Sequence, residues 1–250
     1  MISNNSFSQH NINYLSPSSI NTYISDIPMW VARYLFGVKS GSGAGAVRGI
    51  VQESVLANKY ETGKFDFDLL ENEFLTTCIE FNIGSENLKV EKERKLLKNF
   101  GEVIDKNFKY KDLEQYQEKV EVQLDDMPIP IMGYIDFRFK NTIVDLKTTT
   151  RMPSKPTEAQ MRQMALYSMA YPNNSVDLFF ATPKEHKKFT LKNLSVYQQQ
   201  LKKVAFSIQK FLSISDDRHE LASLVFPNYD SWTWSDSLKN EAKKIWRDKI

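Results

Sequence analysis

An α/β (α+β) architecture, helices packed on a central mixed sheet, is what this sequence predicts, on three observations. Apolar residues recur at helical spacing through most of the chain up to Phe108; from Glu118 the period shortens toward two; and a helical stretch, 157–171, is threaded between segments of strand character. A chain of 250 residues with 41% hydrophobic side chains is long enough for one large core. Residues 1–14 are polar and unpatterned, which predicts a flexible N-terminus, and residues 15–250 are expected to form a single domain.

The elements follow in order. In "LSPSSINTYI", Ser16 suits a helix N-cap and Pro17 the first helical position, where its missing N–H costs nothing. The next segment, through Trp30 and Tyr34, is also predicted helical. "GVKSGSGAGAVRG" interrupts the pattern with small residues, and "IVQESVLANKYE" resumes it as a helix. Two more helices are expected at "DLLENEFLTTCIEFN" and "VEKERKLLKNFGEVIDKNF". A strand begins at "EKVEVQL", with Val120, Val122 and Leu124 on one side. A hairpin follows, then the helix "TEAQMRQMALYSMAY", stopped near Pro172. The strand "SVDLFFAT" and the helices "VYQQQLKKVAFSIQKFL" and "SDSLKNEAKKIWRDKI" complete the chain.

Charge narrows the field only locally. Lys and Arg number 33 against 31 acidic residues, so the net charge of +2 does not by itself mark a nucleic-acid binder. Without a secretory leader pattern or an apolar run of membrane-spanning length, the protein is expected to be soluble and intracellular. Cys78, the one cysteine, sits among Phe74, Leu75 and Ile79 at helical spacing and is read as a buried structural thiol.

The chemistry concentrates in "GYIDFRFKNTIVDLKTTT". If Lys140 and Asn141 make a two-residue turn, with Asn141 taking positive φ, Phe139 lies opposite Thr142, Phe137 opposite Val144 and Asp136 opposite Asp145. Alternation then puts Ile135, Phe137, Phe139, Val144 and Leu146 on a core face and Asp136, Asp145 and Lys147 on the other. Like charges opposed at about 5 Å between β-carbons repel. A hard divalent cation, magnesium or manganese, would compensate, with Lys147 orienting water or stabilising charge on a phosphate. A solvent-facing ion pair neutralised by Lys147 is the structural alternative. Downstream, Gln160, Gln163 and Tyr167 lie along one helical face and offer neutral donors to a nucleic-acid backbone. Gln160 equally fits a reciprocal cap with Thr157, and Tyr167 a core position.

"GYID", then "DLKTT", then "QMALY" resembles the PD-(D/E)xK nuclease superfamily, specifically its RecB-like exonuclease branch. "LSPSSINTYISDIPMWVARYLFG" and "RGIVQESVL" extend the resemblance upstream, so that it spans Leu15 to Pro183. It implies a restriction-endonuclease-like core with helical N-terminal and C-terminal additions. It also implies a metal-dependent DNA nuclease, an exonuclease first of all, acting at DNA ends or single strands in recombination, repair or phage DNA processing. By the same resemblance Asp136, Asp145 and Lys147 are catalytic. Asp136, Asp145, the Leu146 carbonyl and Gln52 are metal ligands, and Gln163 and Tyr167 orient substrate, with Gln160, Arg48 and Thr148 as further substrate contacts. One or two magnesium or manganese ions are implied, without the iron–sulfur cluster of some relatives, which needs four cysteines. DNA is the implied partner, with recombination or replication proteins, in the cytoplasm of a bacterial or phage-infected cell.

Gln52 departs from the family pattern, standing where related enzymes have a histidine, and the adjacent Glu53 points about 100° away around the helix. This motivates one alternative, a nucleic-acid-binding module with impaired catalysis; a structure-specific endonuclease is a second, because these residues do not distinguish it from an exonuclease. Further candidate phosphate contacts are Arg138, Arg151, Lys155, Arg162 and the "KEHKK" segment. Trp232, Trp234 and Tyr229 could stack on unpaired bases, though packing at a core edge is the favoured reading.

Overall fold

The computed structural model describes residues 5–39, 41–84, 87–231 and 233–247. Trp232 and the two extreme ends of the expected domain layout, 1–4 and 248–250, lie outside the described residues. The helices are α1 (Ser6–Gln9), α2 (Pro17–Ser25), α3 (Ile27–Trp30), α4 (Ala44–Thr62), α5 (Phe67–Glu80), α6 (Leu88–Asn107), α7 (Glu158–Ala170), α8 (Ser195–Leu212), α9 (Arg218–Ser223) and α10 (Asp236–Arg247). Strands β1 (Leu113–Val122), β2 (Ile131–Phe139), β3 (Thr142–Thr148), β4 (Ser175–Ala181) and β5 (His186–Thr190) form one sheet in that order. All neighbours are antiparallel except β3 and β4, which run parallel with α7 as the crossover. The sheet is therefore mixed, as predicted. Among the described residues no helix is long and apolar enough to cross a membrane.

Each face of the sheet carries its own core. Ile131, Ile135, Ile143, Leu178 and Phe180 pack with α2, α7 and α8, joined by Val120 and Leu124. Phe137, Phe139, Val144, Leu146 and Phe179 pack with α4, α5 and α6, where Cys78 is buried. A smaller cluster seats Trp234 and Leu238 against Met29 and Ala32, and Trp234 Nε1 donates to Asp26 Oδ2 at 2.8 Å. Trp234 is thus a packing residue, with Tyr229 edge-on against it.

Several expectations change. Ser16 and Pro17 start α2 as expected, with Ser19 completing a reciprocal cap. Residues 5–14, expected to be loose, instead carry the capped turn α1, whose Phe7 is fully buried against α8. The small-residue stretch enters α4 at Ala44, six residues earlier than its apolar pattern indicated. Val31–Leu35 continues α3 as a π-helical turn. The hairpin keeps the expected two-residue turn and the pairs Phe139–Thr142 and Phe137–Val144, yet Asn141 does not take positive φ. The Asn141 carbonyl instead accepts the Ser175 amide, so the turn is held by the next strand. The last three residues of the "KEHKK" segment open β5, a strand that its four charged or polar residues in five concealed.

Candidate active site

The predicted pairing of Asp136 with Asp145 does not form, and the reason locates the site. The β2–β3 ladder stops at Phe137–Val144, and beyond it the strands part. Continued alternation would place Ile135 beside Phe137, but Ile135 packs against α7 and Phe137 against α4–α6. Strand β2 therefore changes face at Asp136. Directly across on β1, Gln117 takes a left-handed backbone conformation (φ 50°), which a non-glycine residue adopts in mid-strand only when its surroundings impose it. At this fork the freed backbone groups find side-chain partners. Leu146 N, whose ladder partner would be Ile135, donates to Asp136 Oδ2 at 3.2 Å. The Tyr134 carbonyl accepts the hydroxyl of Tyr167 from α7.

The fork gathers acids around one cation. Asp145 is fully buried (0% exposed), and neither of its oxygens accepts a well-directed hydrogen bond among the described residues. Its close contact is ionic: Lys147 Nζ lies 2.7 Å from Oδ2. Burial and the neighbouring Asp145 push the Asp136 carboxyl up to about 8. Burial opposes the charge on Lys147, but Asp145 and Asp136 outweigh it and hold the ammonium above its ordinary value. Glu53, on α4, is pushed up to about 9 by burial and by Asp136. Gln117 Nε2 lies 3.4 Å from both Glu53 Oε2 and Asp136 Oδ1, so one amide spans the two carboxyls.

Gln117 is the site residue that the sequence reading missed, and Glu53 is the one that it set aside as pointing away. The available signal was helical spacing: Gly49 and Glu53 are four apart, and Gly49 packs against the end of β3, where a β-carbon would sit 3.5 Å from Thr148 Oγ1. That face of α4 points at the fork. Gln52 is turned toward α6, with Nε2 donating to the Leu97 carbonyl at 2.9 Å. This bond fixes which end of the amide is occupied, and it leaves the buried Oε1 without a donor among the described residues. No three His, Cys, Asp or Glu side chains among the described residues come close enough together to hold a metal ion.

Helix α7 presents the remaining predicted residues unequally. Tyr167 is buried, and Gln163 Nε2 donates to its hydroxyl at 2.9 Å. The Tyr167 ring packs so closely on β2 that a β-carbon at Gly133 would sit 3.0 Å from both Tyr167 and Leu166. Gln160 caps its helix: Oε1 accepts from Thr157 N at 2.8 Å, while its own N donates to Thr157 Oγ1. Arg48 and Thr148 do meet, but in each other's service. The guanidinium donates to Thr148 O at 3.1 Å, contacts Thr148 Oγ1, pairs with Glu93 and lies over the Phe100 ring. Arg138 is likewise held by Glu114 and Glu118, and Arg162 by Asn21 and Gln200. The cations that line this core are thus structural, whereas Lys187 and Lys188 on β5 are exposed.

Residues 14–245 match the family model described as PD-(D/E)XK nuclease superfamily. A crystal structure from Eubacterium rectale described as a "putative exonuclease" superposes with a TM-score of 0.59 at 14% identity, covering 96% of this chain and 92% of that one. At that identity the likeness concerns the fold. A second solved structure, SSO0001, aligns with 73% of this chain and 86% of its own at 10% identity, with a TM-score of 0.32. No curated protein matches the chain.

Proposed function

The chain belongs to the PD-(D/E)XK nuclease superfamily, and on that premise we propose that it is a metal-dependent deoxyribonuclease that removes nucleotides from DNA ends. The observation that carries the proposal is Asp145: a fully buried carboxylate beside a second buried acid, at the point where the sheet parts, with the Lys147 ammonium 2.7 Å from Oδ2 and no partner for Oδ1 among the described residues. Buried acceptors in native proteins are almost always satisfied. A hard divalent ion is the partner these oxygens suit. Asp136, Asp145 and the Leu146 carbonyl are the residues proposed to hold it, with Glu53 alongside; Gln52, turned toward α6, is not among them.

Members of the superfamily use divalent ions, generally magnesium or manganese. When bound, such an ion lowers the pKa of the attacking water and draws charge from the scissile phosphate. The protein's own groups do the rest. Lys147, kept charged by Asp145 and Asp136, donates to the nucleophile or to the phosphoryl oxygen as charge develops. Asp136 takes up a proton readily near neutral pH, so ion binding there displaces a proton. Tyr167 fixes the Tyr134 carbonyl two residues before Asp136, and Gln163 supports that hydroxyl and offers its amide to the DNA backbone. The preference for ends follows the branch of the superfamily that the motifs resemble. Recombination, repair or phage DNA processing in the cytoplasm is the setting proposed.

The test is cleavage of end-labelled single- and double-stranded DNA, linear and circular, in magnesium or manganese. Wild type should degrade linear substrates and spare circles, and Asp145→Ala and Lys147→Ala should each lose at least about a hundredfold in rate. Cleavage of circles would assign an endonuclease, activity surviving in either variant would remove the site assignment, and binding without cleavage would favour a catalytically impaired module.

A further inference from the structure

Gly133 points at α7, so Tyr134 points to the opposite side, as does Lys119, its register partner on β1. Tyr134 is 48% exposed there, two residues before Asp136 on the same strand. A second tyrosine completes the patch. Leu15 bridges Ile131 and exchanges backbone hydrogen bonds with Pro130 and Met132, which fixes the preceding Tyr14, 49% exposed, beside the same strand. The Lys119 ammonium lies within electrostatic reach of both phenols.

Two exposed aromatic rings and a lysine, on rigid strand backbone that runs into the carboxylates, have the composition of a base-stacking platform with a phosphate contact. The geometry points to Tyr134, with Tyr14 and Lys119, as a platform for unpaired nucleotides of the strand whose phosphodiester reaches Asp136 and Asp145. This inference rests on the nuclease reading and adds to it the side chains that would grip an unpaired strand or a frayed end ahead of the carboxylates. The backbone of the platform is already held, because the Tyr134 carbonyl receives the Tyr167 hydroxyl, so little ordering remains to be done when a base stacks. Among the described residues Lys119 pairs with the exposed Glu121 at 2.6 Å, a contact weak enough to yield to a phosphate. Continuity with the acid cluster selects nucleic acid, rather than a second copy of the chain, as the occupant.

Fluorescence anisotropy of a labelled oligothymidylate and of a blunt duplex of equal length, with the full chain in EDTA so that neither is cut, tests this directly. Tyr134→Ala should weaken oligothymidylate binding by about tenfold, the loss of one base stack, and duplex binding by less than about twofold. Tyr134→Phe keeps the ring and should stay within about twofold of wild type for both. Equal oligothymidylate affinity in Tyr134→Ala and wild type, or equal losses in the Ala and Phe variants, overturns the platform. A change in sedimentation with no change in oligothymidylate affinity would assign the face to self-association instead, which also overturns it. Wild type that cleaves DNA in magnesium while Tyr134→Ala binds normally removes the platform alone; wild type that neither binds nor cleaves any DNA removes the nuclease reading with it.

Discussion

Replacing Asp136 with Asn should stabilise the metal-free protein while abolishing nuclease activity. Burial and Asp145 raise this carboxyl from 3.8 to about 8, so between those values the folded protein keeps a proton that the unfolded chain has lost. Stability therefore falls as pH rises through that window, by at most about 6 kcal/mol for a shift of about four units. Because Glu53 and Asp145 share the repulsion, removing one charge should recover only part of this, about 2–3 kcal/mol. Asn retains an oxygen for the Leu146 amide, so the fork keeps its bridge. For a chain of this length, the gain corresponds to a rise of about 5–10 °C in melting temperature. Thermal melts in EDTA at pH 5, 6, 7 and 8 would show the gap opening as pH increases. A gap that is flat across pH, or a variant less stable than wild type at pH 8, would refute the electrostatic account. Manganese should raise the melting temperature of wild type and not of the variant, closing the gap again.

Three further outcomes are expected. Lys147→Met, besides losing cleavage, leaves the buried Asp145 without its counter-charge and should destabilise the chain by about 3–5 kcal/mol in denaturant titrations. Tyr167→Phe removes the donor to the Tyr134 carbonyl and the acceptor for Gln163; we expect a loss of about 1–3 kcal/mol in stability, together with weaker manganese binding by calorimetry. Gly133→Ala drives a methyl against Tyr167 and Leu166 and should cost about 1–3 kcal/mol, read as a lower urea midpoint at unchanged slope.

Most of the elements were legible: burial of one face writes helical spacing into Leu201–Leu212, and burial on both faces makes Val176–Phe180 a nearly unbroken apolar run. The acids and the lysine were legible as a group because their order along the chain is distinctive. Their geometry was not, since a strand that changes face at Asp136 leaves no trace in an alternating pattern, and the left-handed Gln117 responsible lies on another strand. Glu53 was set aside because it points about 100° from Gln52 around the helix; which of the two adjacent side chains faces the fork is decided by how α4 docks on β3 through Gly49. Arg48 looked like a phosphate ligand because its Glu93 partner is 45 residues distant in sequence. Phe7 sits in a polar stretch with no periodic neighbours, so nothing local announced its burial.

That phenylalanine has a practical consequence. Anyone shortening the gene to begin at Leu15, where the amphipathic pattern starts, would pull an aromatic plug out of the α8 layer and forfeit the two carbonyl contacts that His10 makes with Leu212 and Ser215. Such a trimmed product should express poorly or clump, whereas an affinity tag fused ahead of Asn5 leaves the plug in place.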